Sequence, residues 1–482
     1  MEADAIEGID RLAAEIRRDL ERIGVPPVSW TKPPADPDTL DVLIVGAGQM
    51  GLAASFALKR LGITRHRVID SAPRGIEGPW VTYARMKTLR SPNHLVGPAQ
   101  DIPSLTFRAY YEALHGVPAW EAFGKIPNEM WQDYLSFFRD TLALPLISDT
   151  TLTGLEPDGD TLAVTLEDGD GQRTVRTRHL ILATGRDGLG GPNIPAWVIA
   201  DDKGFQHSME AIDFAALAGR RVVVVGNSAS AFDNAAEALE TGAGEVHMVM
   251  RRPALPVFNR FKLMVHAGFT HGFPTLSDEM RLEMLNTAFS TAVAPPHESV
   301  ERIAKAPNFY LHTGAEVVSA ERSGEALLLD LGATRLEVDH VILGTGFKVD
   351  VAGRPELSRL ADGVVLWRDR PIAPDRLGGF GLHPYLGGDF SFTPRGDDAA
   401  WVERVHAFNI GSMASLGLLS GDIPGVGDGA MRLGRGIAAA LFRQDAAWHL
   451  SCIAHYNEHE IMGDELSAAE RRAGALSLPR AS

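Results

Sequence analysis

Apolar and polar positions recur along this chain in patterns that predict its architecture. Ile6, Ile9, Leu12, Ile16, Leu20 and Ile23 fall at steps of three or four, so residues 4–24 are predicted to form an amphipathic helix. Its apolar stripe is expected to pack on its own subunit, with a subunit–subunit contact as the other reading. The proline-rich stretch 25–39 reads as an extended linker. Beyond it a short apolar run, 42–45, meets a glycine-rich turn and then an apolar helix. Three strand-like runs follow near 151–156, 161–166 and 172–177, separated by Asp/Gly turns, and the unit closes on Ala183-Thr184-Gly185.

The same order returns. The apolar run 221–225 meets Gly226-Asn227-Ser228 and a helix. Strand-like runs near 315–320, 326–331 and 334–338 follow, and the unit closes on Gly344-Thr345-Gly346. A strand, a glycine loop and a helix, closed by a β-meander, therefore occur twice. The expected class is α/β, with two Rossmann-like dinucleotide-binding domains, each carrying a β-meander. The expected boundaries are an N-terminal helix and linker at 1–39, a first domain at 40–200, and a second at 201–345 with an insertion at 256–307. The chain would return to the first domain over 346–482.

Gly46, Gly48 and Gly51 fit G-x-G-x-x-G between a strand and a helix, with Gln49 and Met50 completing the turn. Gly46 allows the tight turn, Gly48 lets the backbone approach a pyrophosphate, and Gly51 lets helix and strand pack closely. The helix N-terminus adds free N–H groups and a positive dipole end. A second strand, 67–70, ends in Asp70, nineteen positions after Gly51, followed by Ser71. An acid at that place accepts hydrogen bonds from the adenosine ribose.

The second loop, Gly226-Asn227-Ser228-Ala229-Ser230, lacks this acid. Its next strand ends in Arg251-Arg252, and two guanidiniums suit a ribose 2′-phosphate, so this site is expected to select NADPH. Two such modules imply hydride transfer from nicotinamide to flavin, with FAD in the first site.

Composition narrows the class. With 46 basic and 62 acidic residues the net charge is −16, which argues against a broad nucleic-acid or anionic-membrane surface. Cys452 is the only cysteine, so no intrachain disulfide, C-x-x-C pair or cysteine zinc cluster can form. The N-terminus lacks the basic-then-apolar order of a secretory signal, and no apolar run reaches about 18 residues. A cytoplasmic protein is expected. Its partners would be a small molecule and dioxygen, with no nucleic acid and no membrane; homo-oligomerisation is left open.

These residues resemble the class B flavin monooxygenases: flavin-containing monooxygenases, microbial N-hydroxylases and Baeyer–Villiger enzymes. The resemblance covers roughly residues 40–445. Ser228, Ser230, Asp233 and Ala235 match the family's GxSxSGxDIA, while Ala231 and Asn234 depart. Gly78-Pro79-Trp80 is similar to its GGxW, which lies along the flavin. The stretch 339–347 is similar to its D-x-x-x-x-A-T-G-F/Y. Of the FxGxxxHxxx(aromatic) signature only His207 survives, since Asp201, Lys203 and Ala211 occupy the other positions. That weakens a Baeyer–Villiger reading.

The resemblance implies that NADPH reduces FAD, dioxygen adds at flavin C4a, and a nucleophilic substrate takes the distal oxygen. N-hydroxylation of an amine or amino acid is the expected reaction; S-oxygenation, Baeyer–Villiger oxidation and an NADPH-dependent reductase or oxidase are the alternatives. A non-catalytic NADPH-sensing flavoprotein is the reading from a different class. The resemblance places Asn93 near flavin or NADP⁺, although Pro-Asn is also turn chemistry. Within the insertion, Arg260 and Lys262 could pair with a substrate carboxylate. The returning chain is expected to form a helix over 430–442, with Asp428 suited to its N-cap.

Overall fold

The computed structural model describes residues 2–186, 188–291, 293–462 and 464–476. The strand Leu40–Val45 is apolar at its centre, and Val42, Leu43 and Ile44 are fully buried. It lies between His66–Ile69 and Gly171–Leu182, parallel to both, with Val45 level with Ile69 and Leu182. Burial on both faces explains the continuous apolar run, the habit of parallel sheets covered by helices. Leu146–Ile147 adds to the far side of His66–Ile69, and Val405–His406 pairs with Leu180 and Ile181.

The first meander comprises Thr151–Asp158, Thr161–Asp168 and Gly171–Leu182. The expected third run and the strand before Ala183 are one element. Thr177 pairs with Leu162 on one side and Leu40 on the other, so a single 12-residue strand serves both meander and parallel sheet.

The second sheet has five parallel strands in the order Phe309–Thr313, Glu245–Met250, Arg221–Val225, His340–Leu343, Phe205–His207. Its meander runs through Ser319–Ser323, Ala326–Asp330 and Arg335–Val338. The first of these begins later than the 315–320 run anticipated. Gly314 turns with φ +64°, and the Ala315 N–H donates to the Met250 carbonyl, which keeps residue 315 with the parallel sheet.

The N-terminal helix, Glu2–Arg22, buries Leu12, Ile16 and Leu20 among Phe107, Tyr110 and Tyr134 of the same chain. It ends before residue 24 because Gly24 adopts φ +65° and the Val25 N–H donates back to the Leu20 carbonyl, a left-handed C-terminal stop. The following stretch is tied down, with Trp30 Nε1 donating to the Leu61 carbonyl at 2.7 Å. Among the described residues no helix is long and apolar enough to cross a membrane.

Near the chain's end the helix Val426–Gln444 buries Val426, Ala430, Leu433, Ile437 and Leu441 along one stripe. That stripe packs on the helix Gln49–Arg60, close enough that a Cβ on Gly434 would sit 2.9 Å from Leu61. The helix starts earlier than residue 430, so its N-cap is Gly425 and Asp428 lies in the first turn, correcting the N-cap expectation. An acid there still complements the helix dipole.

Candidate dinucleotide sites

The first glycine loop sits where Leu40–Val45 ends. Gly46 has φ +101°, and a Cβ there would lie 2.5 Å from the Ala183 carbonyl oxygen. A Cβ on Gly51 would lie only 1.7 Å from the Gly46 carbonyl oxygen. The loop is therefore closed by glycine at both ends. Gly48 faces Gly78, whose Cα is 3.7 Å from where a Gly48 Cβ would be, so the Gly78-Pro79-Trp80 segment passes directly over the loop.

Asp70 ends its strand as expected. Its Oδ2 accepts from the Ala47 N–H at 2.6 Å and its Oδ1 from the Ala72 N–H at 2.8 Å. Burial raises its pKa, against the opposing effect of those two N–H donors. The carboxylate thus fixes the loop while each oxygen keeps lone-pair capacity for a further donor. Ser71 beside it is exposed.

Around this cleft Gln49 and Met50 are buried, and Met50 Sδ accepts from the Gly421 N–H at 3.3 Å, joining the returning chain to the loop. Among the described residues, Gln49 Oε1 and Trp80 Nε1 are buried polar atoms with no hydrogen-bond partner. A wall of that kind, beside glycine-lined backbone and a helix N-terminus, fits a bound dinucleotide. Trp80 stands edge-on to Trp131, with ring centroids 6.3 Å apart.

The second loop repeats the geometry with one exchange. Gly226 has φ +145°, and a Cβ on it would meet the Gly344 carbonyl at 2.3 Å. Ala231 stands where the first loop has Gly51, and here the opposite strand end carries glycine. A Cβ on Gly344 would come within 2.7 Å of the Ala231 Cβ. The departure from the family motif at Ala231 is therefore matched across the contact. Asn227 is half-buried; Ser228 caps the helix Ala229–Glu240 with an exposed hydroxyl that makes no capping bond, and Ser230 sits in its first turn. Arg251 and Arg252 follow Glu245–Met250 at the surface. Arg251 lies 3.7 Å from Glu316, and Arg252 donates to the Ser290 carbonyl at 3.3 Å.

Other expected residues have structural partners. Asn93 sits in a turn and its amide donates to the Phe123 carbonyl at 2.8 Å. His207 donates from Nε2 to the Gly346 carbonyl at 3.0 Å and accepts the Met209 N–H at Nδ1, which fixes its tautomer. Arg260 donates to the Thr287 carbonyl and to Ser290 Oγ, whereas Lys262 is exposed. The insertion packs Met264, Phe273, Leu282 and Leu285 against Trp367, Phe380 and Met413. It thereby joins the second glycine-loop unit to the returning chain. The pattern reading missed Arg90, Ser299 and Arg302, which surround the motif acid Asp233; Arg90, only three positions before Asn93, was the available signal.

The family model for pyridine nucleotide-disulphide oxidoreductases matches residues 43–305. The chain belongs to this family. A FAD-dependent urate hydroxylase of Xanthomonas campestris pv. campestris is 36% identical over 460 residues, which is 94% of this chain and 97% of that relative. Among solved structures, the ornithine N-hydroxylase of Kutzneria sp. 744 superimposes with a TM-score of 0.66 at 18% identity, covering 83% of this chain and 99% of that one. The L-lysine 6-monooxygenase of Pseudomonas syringae gives 0.64 at 20% identity, covering 83% and 99%. The resemblance to class B flavin monooxygenases and the two-dinucleotide flavoprotein fold are borne out. This family member is an oxidoreductase of the flavin-dependent monooxygenase class. The family's name covers disulfide reductases too, but with Cys452 alone this chain cannot form a redox dithiol within itself.

Proposed function

We propose that this protein is an FAD- and NADPH-dependent monooxygenase that hydroxylates urate or a closely related acidic oxopurine. The observation that carries the substrate class is the 36% identity to the urate hydroxylase across nearly the whole of both chains. FAD at the first loop and NADPH at the second supply hydride transfer and oxygen activation. The chain's own residues bind and orient. Backbone N–H groups of residues 46–51 and 226–230 hold the diphosphates, and Asp70 accepts from the adenosine ribose. Trp80, Leu89 and Trp131 pack in one apolar cluster beside the first loop and would keep water from a flavin held there. Asn93, held on the Phe123 carbonyl, shapes the adjoining turn.

The test is oxygen-dependent NADPH oxidation with urate, following urate absorbance and peroxide together. Loss of one urate per NADPH with little peroxide supports the proposal. NADPH consumption with stoichiometric peroxide and intact urate overturns it in favour of an oxidase. The same assay with ornithine, lysine and small diamines tests the amine N-hydroxylation expected from sequence. That expectation rests on the weak Baeyer–Villiger signature and the basic, polar insertion, in which Arg260 Nη1 donates to the Thr287 carbonyl and to Ser290 Oγ.

Arg251 and Arg252 would hold the 2′-phosphate. Replacing both by alanine is expected to raise KM for NADPH about tenfold or more, the scale of a lost charge-assisted phosphate contact, and to leave KM for NADH nearly unchanged. Equal effects on both nucleotides would remove these residues from phosphate recognition.

A further inference from the structure

Asp233, the acid of the second-loop motif, lies one turn inside the helix Ala229–Glu240 and is 2% exposed. It does not face the nucleotide loop's backbone. Its Oδ2 accepts from Arg90 at 2.9 Å, its Oδ1 from Ser299 Oγ at 2.5 Å, and Arg302 lies 3.7 Å away. Arg90 belongs to the segment 85–90, which leaves the Gly78-Pro79-Trp80 loop over the first site. Ser299 and Arg302 belong to the helix His297–Ala304 of the insertion.

Other residues of the segment 85–90 are gripped in the same way. Arg85 stacks over Phe214 at 5.4 Å and donates to the Glu210 carbonyl, while its own carbonyl accepts from Arg302. Lys87 pairs with Glu240 at 2.6 Å. The Thr88 hydroxyl donates to Glu298, which Lys125 also pairs at 2.9 Å. The Arg302 hydrogen bond, with help from Lys87, pulls the Glu240 carboxyl down to about 2, so it stays ionised at every working pH. Four of the six residues of this short strip, Arg85, Lys87, Thr88 and Arg90, thus meet the second unit and its insertion, while Met86 and Leu89 stay bonded to the first.

We infer that Arg90 and Asp233 are positioning residues: their clasp sets the second-loop helix at a fixed distance from the Trp80 loop, and so sets the nicotinamide against the flavin. The inference rests on the two-dinucleotide reading above. Hydride transfer is steep in geometry, and a displacement of about 1 Å can cost on the order of 100-fold. A surface ion pair serving stability alone has no reason to affect that step.

The experiment is anaerobic rapid mixing of FAD-loaded protein with saturating NADPH, following flavin reduction. Arg90→Gln is the first variant, because Asp233 keeps Ser299 and Arg302 and the fold should persist. Its reduction rate is expected to fall about 10- to 100-fold, with FAD content and NADP⁺ dissociation constant within about twofold of wild type. Arg90→Lys, which retains the charge, should recover part of the loss. Reoxidation of the dithionite-reduced variant by oxygen should match wild type. A normal reduction rate in FAD-loaded Arg90→Gln overturns the inference. If that variant fails to hold FAD, Lys87→Gln at the exposed neighbouring pair decides: a slowed reduction supports the clasp and an unchanged one overturns it. None of these readings uses urate, so loss of the substrate proposal would leave this result standing.

Discussion

Gly51→Ala is expected to purify largely without FAD. The added methyl would sit 1.7 Å from the Gly46 carbonyl oxygen, so the loop and helix must move apart by more than 1 Å. Neither can yield easily. Gly46 is pinned against the Ala183 carbonyl, and the helix Gln49–Arg60 is buried along most of its length. Overpacking of this kind costs about 1–3 kcal/mol, and here the strain falls on the N–H groups that would bind diphosphate. FAD affinity should fall about 10- to 100-fold, read as the flavin-to-protein absorbance ratio and by titrating apoprotein with FAD. Gly344→Ala supplies the mirror experiment, since its methyl would meet Ala231 at 2.7 Å and should weaken NADPH instead. Wild-type FAD content and affinity in Gly51→Ala would show that this loop does not hold the flavin.

Stability is expected to collapse on mild acidification. Burial lowers His66, His340 and His383 from 6.5 to about 4 in each case. Burial outweighs the opposing pull of their hydrogen bonds to carbonyls, from His66 Nδ1 to Ile63 and from His383 Nδ1 to Gly411, each of which favours the protonated ring. His179 Nδ1 and His406 Nε2 share a hydrogen bond of 3.1 Å in the core, and burial drives both downward, His179 well below its ordinary value. Because the folded values lie below the unfolded one, the unfolded chain binds more protons in acid. The stabilisation is complete above about pH 6.5 and is lost as pH falls toward 4. Between pH 7 and pH 5 the first three histidines alone should cost about 2 kcal/mol each. Thermal unfolding at constant ionic strength should show a steep fall in Tm across that interval. A Tm that is flat from pH 7 to pH 5 would mean these rings are not held neutral in the core.

Local chemistry made much of the fold legible. Glycines before apolar helices, an acid or an arginine pair at the next strand's end, and Asp/Gly turns between alternating runs all report short-range geometry. Each landed on the element expected of it. What escaped were contacts between distant positions. Asp233 could be matched to a motif, but the 143-residue separation from Arg90 hid its partner. Asn93 and Arg260 were polar residues in plausible places, and only the folded chain shows their donors committed to Phe123 and to Thr287 and Ser290. The glycine exchange between Ala231 and Gly344 was written in the sequence as well. Reading it needed the knowledge that helix start and strand end touch.

The helix Val426–Gln444 has a consequence for how the protein is made. The strands of the second sheet all lie between Phe205 and Leu343, so that sheet's parts are complete once this stretch has left the ribosome. The first sheet begins earlier but waits longer, because Ala53 and Ala57 share a core with Ala430, Leu433 and Ile437. The second sheet can therefore fold before the first unit is finished. Until the helix Val426–Gln444 emerges, the apolar back of the first nucleotide helix stays exposed as a surface for chaperones, and nonsense truncations before residue 426 should be cleared rather than accumulate.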